Sequence, residues 1–268
     1  MTSCISYSCA LVTGASFGLG EEFALQLAPQ VDHLVLVARR EALLLDLSER
    51  ILAEFPGVEV SVFAVDLTKP GEREQLAAAL KERGLVPDLL VNNAGMGDYG
   101  DFAAAEWPKL EAMIRLNVEA LTHLAHLLIP GMIRAGRGAV VNVSSLASLL
   151  PIPDFAVYAA TKAYVTSFSE ALRIELREHG IPVLAVCPGP VHTGFGEVAR
   201  RDEHIPGTPM RDWFYVPREQ VVRESLTALA RNRARVYPAL KTAVAALAIS
   251  ALPIVLMRLV MGARPRKQ

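Results

Sequence analysis

Tyr158 and Lys162 stand four residues apart in the stretch 140–164 (VVNVSSLASLLPIPDFAVYAATKAY), which reads as strand, loop and helix. On a helix, residues four apart share a face, so the Lys162 ammonium lies beside the Tyr158 phenol. A phenol titrates near ~10, and a close cation favours the phenolate. Bringing that value from roughly 10 to about 7 takes on the order of 4 kcal/mol of differential stabilisation. A buried or half-buried lysine, helped by a second positive charge, could supply it and give a tyrosine that trades protons at neutral pH. Upstream, Val140, Val141 and Val143 form an apolar strand that delivers Ser144 and Ser145 to its carboxyl end. A Tyr-x-x-x-Lys pair alone arises by chance on many surface helices, so the weight falls on what the rest of the chain places beside it.

The positioning elements begin with a short apolar strand at 9–12. It runs into Thr13-Gly14-Ala15-Ser16-Phe17-Gly18-Leu19-Gly20 and then a helix pattern over 21–27. Glycines 14, 18 and 20 between strand and helix let backbone N–H groups approach a pyrophosphate, and the helix N-terminus adds its positive dipole end. A second strand, 33–38, ends at Arg39-Arg40. In a nucleotide-binding strand–helix–strand unit this position meets the adenosine ribose. Arginine there suits a 2′-phosphate by charge-assisted bonds, or it opens the next helix as solvated charge. A third strand, 59–65, ends in Asp66-Leu67, where Asp66 either accepts from an adenine amino group or caps the next helix. A fourth, 88–91, closes in Asn92-Asn93-Ala94-Gly95, small residues and amides suited to a backbone packed close to a ligand or a neighbouring strand. The helix over 106–129 carries Asn117 in its interior, and Asn is a mediocre helix former, so a side-chain task is one reading and mere tolerance the other. His123 and His126 on the same helix have no third ligand nearby, and no metal site is expected. The strand 181–187 ends in Pro188-Gly189-Pro190-Val191-His192-Thr193.

Six or seven strand–helix alternations argue a parallel sheet with helices on both faces. Ligand chemistry in such sheets gathers beyond the carboxyl strand ends, where the glycine turn, Arg39, Asp66, Asn93, Ser145 and Pro188 all fall. With 268 residues, 52% apolar and 21% charged with net charge -1, the chain can bury a sizeable core. No basic run with interleaved aromatics appears, so nucleic acid is not an expected partner. Cys4, Cys9 and Cys187 cannot all pair, and the amino terminus lacks a signal-peptide pattern, so reduced thiols and a cytoplasmic protein are expected.

On these motifs the chain resembles the short-chain dehydrogenase/reductase family in its single-domain form: TGxxxGxG at 13–20, NNAG at 92–95, Asn117, Ser145 thirteen residues before Tyr158, YxxxK at 158–162 and PGxVxT at 188–193. The match covers about the first 195 residues. The resemblance implies a Rossmann-type doubly wound α/β fold over residues 1–240 with a substrate lid at about 194–216. It implies Tyr158 as proton donor or acceptor, Ser145 polarising the substrate carbonyl, and Asn117 anchoring a relay water. Lys162 would hold the nicotinamide ribose and, with the cofactor's positive ring, depress the tyrosine pKa. Thr193 would contact the carboxamide, and Gly14, Ser16, Phe17, Gly18, Leu19, Gly20, Asp66, Leu67, Asn93, Ala94, Gly95, Pro188, Gly189 and Val191 would line the cofactor. NADP-preferring relatives often carry arginine where Phe17 stands, so a preference for NADP(H) over NAD(H) rests on Arg39 and Arg40. The expected activity is hydride transfer between nicotinamide and a carbonyl or secondary alcohol. A cofactor-binding sensor or scaffold without turnover is the alternative, and a non-redox enzyme such as an epimerase a further one. A homo-oligomer is also expected.

The loop 149–155, Met96 and the run Met210-Arg-Asp-Trp-Phe-Tyr215 surround the expected substrate end. Their apolar content suits a lipophilic substrate or merely a lid that packs shut. Residues 242–257 carry no charge, lie between Lys241 and Arg258, and are followed by Arg264, Arg266 and Lys267. A spanning helix needs about 20 apolar residues, and Pro253 interrupts this one. The extension 241–268 therefore packs on the core or a partner subunit, or lies peripherally in a membrane interface.

Overall fold

The computed structural model describes residues 7–199, 201 and 212–262. Cys4, Met210, Arg211, Arg264, Arg266 and Lys267, named above, lie outside them. The strands are β1 (Tyr7–Thr13), β2 (Val31–Ala38), β3 (Glu59–Ala64), β4 (Leu89–Asn92), β5 (Ala139–Val143), β6 (Val183–Val186) and β7 (Arg235–Val236). The helices are α1 (Gly18–Leu27), α2 (Glu41–Glu54), α3 (Pro70–Glu82), α4 (Trp107–Ile114), α5 (Leu121–Ala135), α6 (Ala156–Glu175), α7 (Phe195–Ala199), α8 (Arg218–Ala230), α9 (Leu240–Ala251) and α10 (Ile254–Gly262).

All seven strands pair in parallel in the order β3-β2-β1-β4-β5-β6-β7. Strand side chains alternate between faces, so each strand must be apolar on both sides when helices cover both. Val12, Leu36, Val91 and Val141 face one core with α1, α2 and α8. Leu11, Val35, Leu90 and Val140 face the other with α3, α5 and α6. Each such side chain contributes roughly 1.5–3 kcal/mol on burial. The order reverses at β1, whose neighbours are β2 and β4, and this switch point opens a crevice at the carboxyl strand ends.

The long helix expected over 106–129 is in fact α4 and α5 joined by a π-helical turn, Arg115–Ala120. Asn117 sits inside that turn, the kind of local irregularity that recurs at functional sites. The carboxyl-terminal extension is not one helix but two, α9 and α10, bent by 111° at the break that contains Pro253. Pro cannot donate to the helix ladder, which accounts for the break.

Candidate active site

The glycine turn leaves β1 with no room to spare. Gly14 and Gly18 hold φ of +66° and +64°, in the left-handed region that favours glycine. A Cβ on Gly20 would lie 2.2 Å from the Gly14 carbonyl oxygen and 2.5 Å from Asn93 Nδ2. Asn93 N and Ala94 N each donate to Thr13 Oγ1 at 3.0 Å, and Asn93 Nδ2 donates to Thr13 O at 2.9 Å. The Asn93 side chain thus locks the turn to the end of β4. α1 starts at Gly18 with no side-chain cap, leaving its first N–H groups to an anion. Across the crevice, a Cβ on Gly18 would touch Thr193 at 3.2 Å.

The two arginines after β2 diverge. Arg40 Nη2 donates to Ser16 Oγ at 3.1 Å, and its guanidinium lies 4.9 Å from the Phe17 ring centre. Arg39 instead acts on Asp66, whose carboxyl is held below its ordinary value by Thr68 hydrogen bonds and by the Arg39 and Lys69 charges, against burial, the largest influence, which opposes the shift. Asp66 Oδ1 accepts from Thr68 N and Oγ1, so one of its oxygens is used in the turn before α3. Leu67 is buried in the core and contributes packing.

At the end of β5 the two serines do different work. Ser144 Oγ donates to Lys162 O at 2.8 Å and meets Thr166 Oγ1 at 2.7 Å, fastening α6 to the strand. Ser145 Oγ accepts from Ala147 N at 3.1 Å and interacts with the Tyr158 phenol. Leu146 N donates to Pro188 O at 2.8 Å, bringing the end of β6 alongside. Lys162 is buried, and its Nζ donates to Val143 O at 2.8 Å and sits 5.8 Å from the centre of the Tyr158 ring. A Cβ on Gly95 would fall 3.3 Å from Asn117 Oδ1 and 3.4 Å from Lys162 Nζ, so these three residues meet at one point.

In the protein alone, burial pushes Tyr158 up to about 12, opposed by the Ser145 hydroxyl. Lys162 is itself lowered to about 8 by burial, with the Cys187 charge a smaller opposing influence. Asn117 already has three partners: Oδ1 accepts from Met96 N, and Nδ2 donates to Met96 O and to the Thr161 hydroxyl. One lone pair of Oδ1 is all its side chain has left for a water.

Aromatic rings close the site. Phe155 stacks on Tyr158 with centroids 4.2 Å apart, Phe195 lies at 5.6 Å, and Tyr99 meets Phe155 edge-on at 5.7 Å. The apolar loop 149–155 foreshadows Phe155 and the expected lid at about 194–216 takes in Phe195, whereas Tyr99 carries no local signal. The tail also reaches the site: Thr242 is fully buried, and a Cβ on Gly189 would lie 3.1 Å from its Oγ1. Lys241 Nζ donates to Trp213 O and Tyr215 O. Among the described residues, no group of His, Cys, Asp or Glu could hold a metal.

A family model described as short chain dehydrogenase matches residues 8–204. The very-long-chain 3-oxoacyl-CoA reductase of Aspergillus oryzae is 34% identical over 203 residues, covering 74% of this chain and 58% of that protein. The chain spans between half and two thirds of the length of the curated reductases it matches. Among solved structures, a short-chain dehydrogenase from Sphingobium yanoikuyae in complex with NADPH superposes with a TM-score of 0.80 at 31% identity, covering 97% of this chain and 98% of the other. The bulky-bulky ketone specific alcohol dehydrogenase from Comamonas testosteroni gives 0.76 at 27% identity, over 97% and 96%.

Proposed function

The chain belongs to the short-chain dehydrogenase family, and from that membership and the site geometry we propose an NADP(H)-dependent oxidoreductase that interconverts a lipophilic ketone and its secondary alcohol. The observation that carries this reading is the buried Tyr158–Lys162 pair with Ser145 against the phenol, in the crevice bordered by an uncapped glycine turn. When bound, the nicotinamide cofactor supplies the hydride that reaches the carbonyl carbon. Its phosphates suit the glycine turn, where Gly20 tolerates no Cβ and α1 offers free N–H groups. Arg40, on Ser16 and Phe17, is placed to hold a 2′-phosphate, with Arg39 beside it on Asp66. The pair sits where an acidic residue would otherwise hold a ribose hydroxyl.

Tyr158, whose phenol burial pushes up, is the proton donor. It gives its proton to the substrate oxygen while the Ser145 hydroxyl hydrogen-bonds that same oxygen. Protonating the oxygen as the carbon gains hydride avoids a free alkoxide, and a positioned acid of this kind contributes about 10²–10⁴ in rate. Lys162 keeps a positive charge within reach of the phenolate that remains. Asn117 acts as a positioning residue, clasping Met96 where the loop from β4 passes Lys162. The intact Ser145–Tyr158–Lys162 set argues against a non-catalytic cofactor sensor.

Phe155, Phe195 and Met96 surround Tyr158 with apolar surface, and the relatives named above act on very-long-chain 3-oxoacyl-CoA and on bulky ketones. A long-chain 3-oxoacyl thioester is therefore the favoured substrate class. The test is a panel of 3-oxoacyl thioesters, ketones and aldehydes of increasing chain length, followed at the nicotinamide absorbance with NADPH and NADH. The reading expects NADPH turnover that improves with apolar length, and loses its substrate half if short polar carbonyls serve best.

The elbow of α9 and α10 supports a peripheral membrane contact. Leu240, Val244 and Leu247 make an exposed stripe on α9, opposite buried Thr242 and Ala246, and Ile254, Val255, Leu259 and Val260 are exposed on α10. No Asp or Glu follows Glu224, whereas Lys241, Arg258, Arg264, Arg266 and Lys267 do. Outward-facing apolar residues, in a stretch of sequence whose charges are all cations, suit an anionic lipid surface.

A further inference from the structure

The loop between β4 and α4 holds a charge cluster that the chemistry does not use. The Asp98 side chain is fully buried, yet it meets two cations. Arg201 Nε donates to its two oxygens at 2.9 and 3.0 Å, Arg201 Nη2 also reaches Oδ2, and Lys109 Nζ lies 3.0 Å from Oδ1. Arg201 Nη1 donates to Asp101 O at 2.6 Å. A carboxylate buried this deeply is tolerable only when paired and hydrogen-bonded, and here both cations serve it. Burial pushes the Asp98 carboxyl up, but the Arg201 and Lys109 bonds outweigh it and hold the group below its ordinary value.

What the ion pair fastens is the aromatic wall. Arg201 follows α7 closely in the chain, and Tyr99 N donates to Ala199 O at 2.7 Å. A Cβ on Gly97 would meet Phe195 Cζ at 3.0 Å, Ala199 Cβ at 3.1 Å and Phe155 Cε2 at 3.2 Å. The 97–101 loop and α7 are thus pressed together, with the ion pair at one end of the contact and Phe195 against Tyr158 at the other.

We propose that Asp98 and Arg201 are positioning residues for substrate selection: their ion pair seats α7 so that Phe195, with Phe155, forms the apolar wall that grips the long chain of the substrate. The proposal rests on Tyr158 marking the reacting carbonyl, but its test does not need turnover. Arg201→Ala, Arg201→Lys and the parent would be compared in a Tyr158→Phe background. Two quantities are read: exchange of the Tyr99 amide hydrogen, and binding of long- and short-chain ketones to the NADPH complex by cofactor fluorescence. Arg201→Ala should speed Tyr99 exchange by about tenfold or more, as release of a local contact does. It should weaken the long-chain ketone by roughly tenfold, leave the short one within about twofold, and leave NADPH affinity unchanged. Arg201→Lys should recover part of both effects. Unchanged Tyr99 exchange, or equal weakening of both ketones together with NADPH, would overturn the proposal. Turnover by Tyr158→Phe at the parent rate would instead count against the catalytic reading and leave the binding result standing.

Discussion

Lys162 Nζ donates to Val143 O at 2.8 Å and lies 5.8 Å from the centre of the Tyr158 ring, so β5 as well as the helix fixes the pair. The four-residue spacing that brings Lys162 to Tyr158 was legible in the sequence, and the Val143 bond was not. The same holds for Arg39 and Arg40, adjacent in sequence but aimed apart by the bend that leads into α2. Two predictions belong here. Arg40→Asp should swing cofactor preference from NADPH toward NADH by roughly 2–3 kcal/mol, the scale of a charged hydrogen bond, and Arg39→Asp by less. Competitive binding of the two cofactors measures it, and a larger effect at Arg39 would reverse the assignment. The second concerns pH. The Lys162 ammonium is lost as pH rises through about 8, so kcat/KM should hold below that value and fall above it, with Tyr158 still protonated. Stability moves the other way. Because the folded value lies below the ordinary 10.5, the unfolded chain holds this proton more tightly between about 8 and 10.5. The buried ammonium costs about 3 kcal/mol at neutral pH, relieved as pH climbs through that window. A Lys162→Met variant lacks the cost, so the melting temperature of the parent should gain on it from pH 8 to pH 10. A profile of kcat/KM flat through pH 9 would contradict the assignment.

At the scale of elements, period and glycine placement foretold the alternating strands and helices, since strands covered on both faces must read as apolar runs. The π-turn at 115–120 and the elbow at Pro253 were not foretold in form. The first needs tertiary contacts around Asn117; for the second, Pro253 marked the break and only the 111° angle was not legible. Removing residues 241–268 would take away Lys241 and Thr242, which support the site, so substitutions on the outward stripe are the cleaner probe. Leu247→Ser, Ile254→Ser and Leu259→Ser together should abolish cosedimentation with anionic liposomes and leave NADPH binding intact. The parent should cosediment in a salt-sensitive way, each nearby cation contributing about 1 kcal/mol. A parent that stays in the supernatant at low salt would rule the contact out.

For the whole molecule, the parallel sheet gathers residues far apart in sequence at one edge: Gly14, Arg40, Asn93, Ser145, Tyr158 and Thr193 all sit beyond the carboxyl strand ends. Sequence motifs name all of them but Arg40, which was legible only from its place after β2, and a switch-point crevice demands such residue types there. The Asp98–Arg201 pair, bridging 103 residues, has no such motif and emerges only when the loop and α7 are folded together. The central claim is that Tyr158 gives the proton to a substrate oxygen. Its most direct test is steady-state NADPH-dependent reduction of a long-chain 3-oxoacyl thioester by the parent and by Tyr158→Phe, with cofactor affinity measured alongside. The account predicts unchanged NADPH binding and folding with kcat lower by about 10² or more; a phenylalanine variant that turns over like the parent would contradict it.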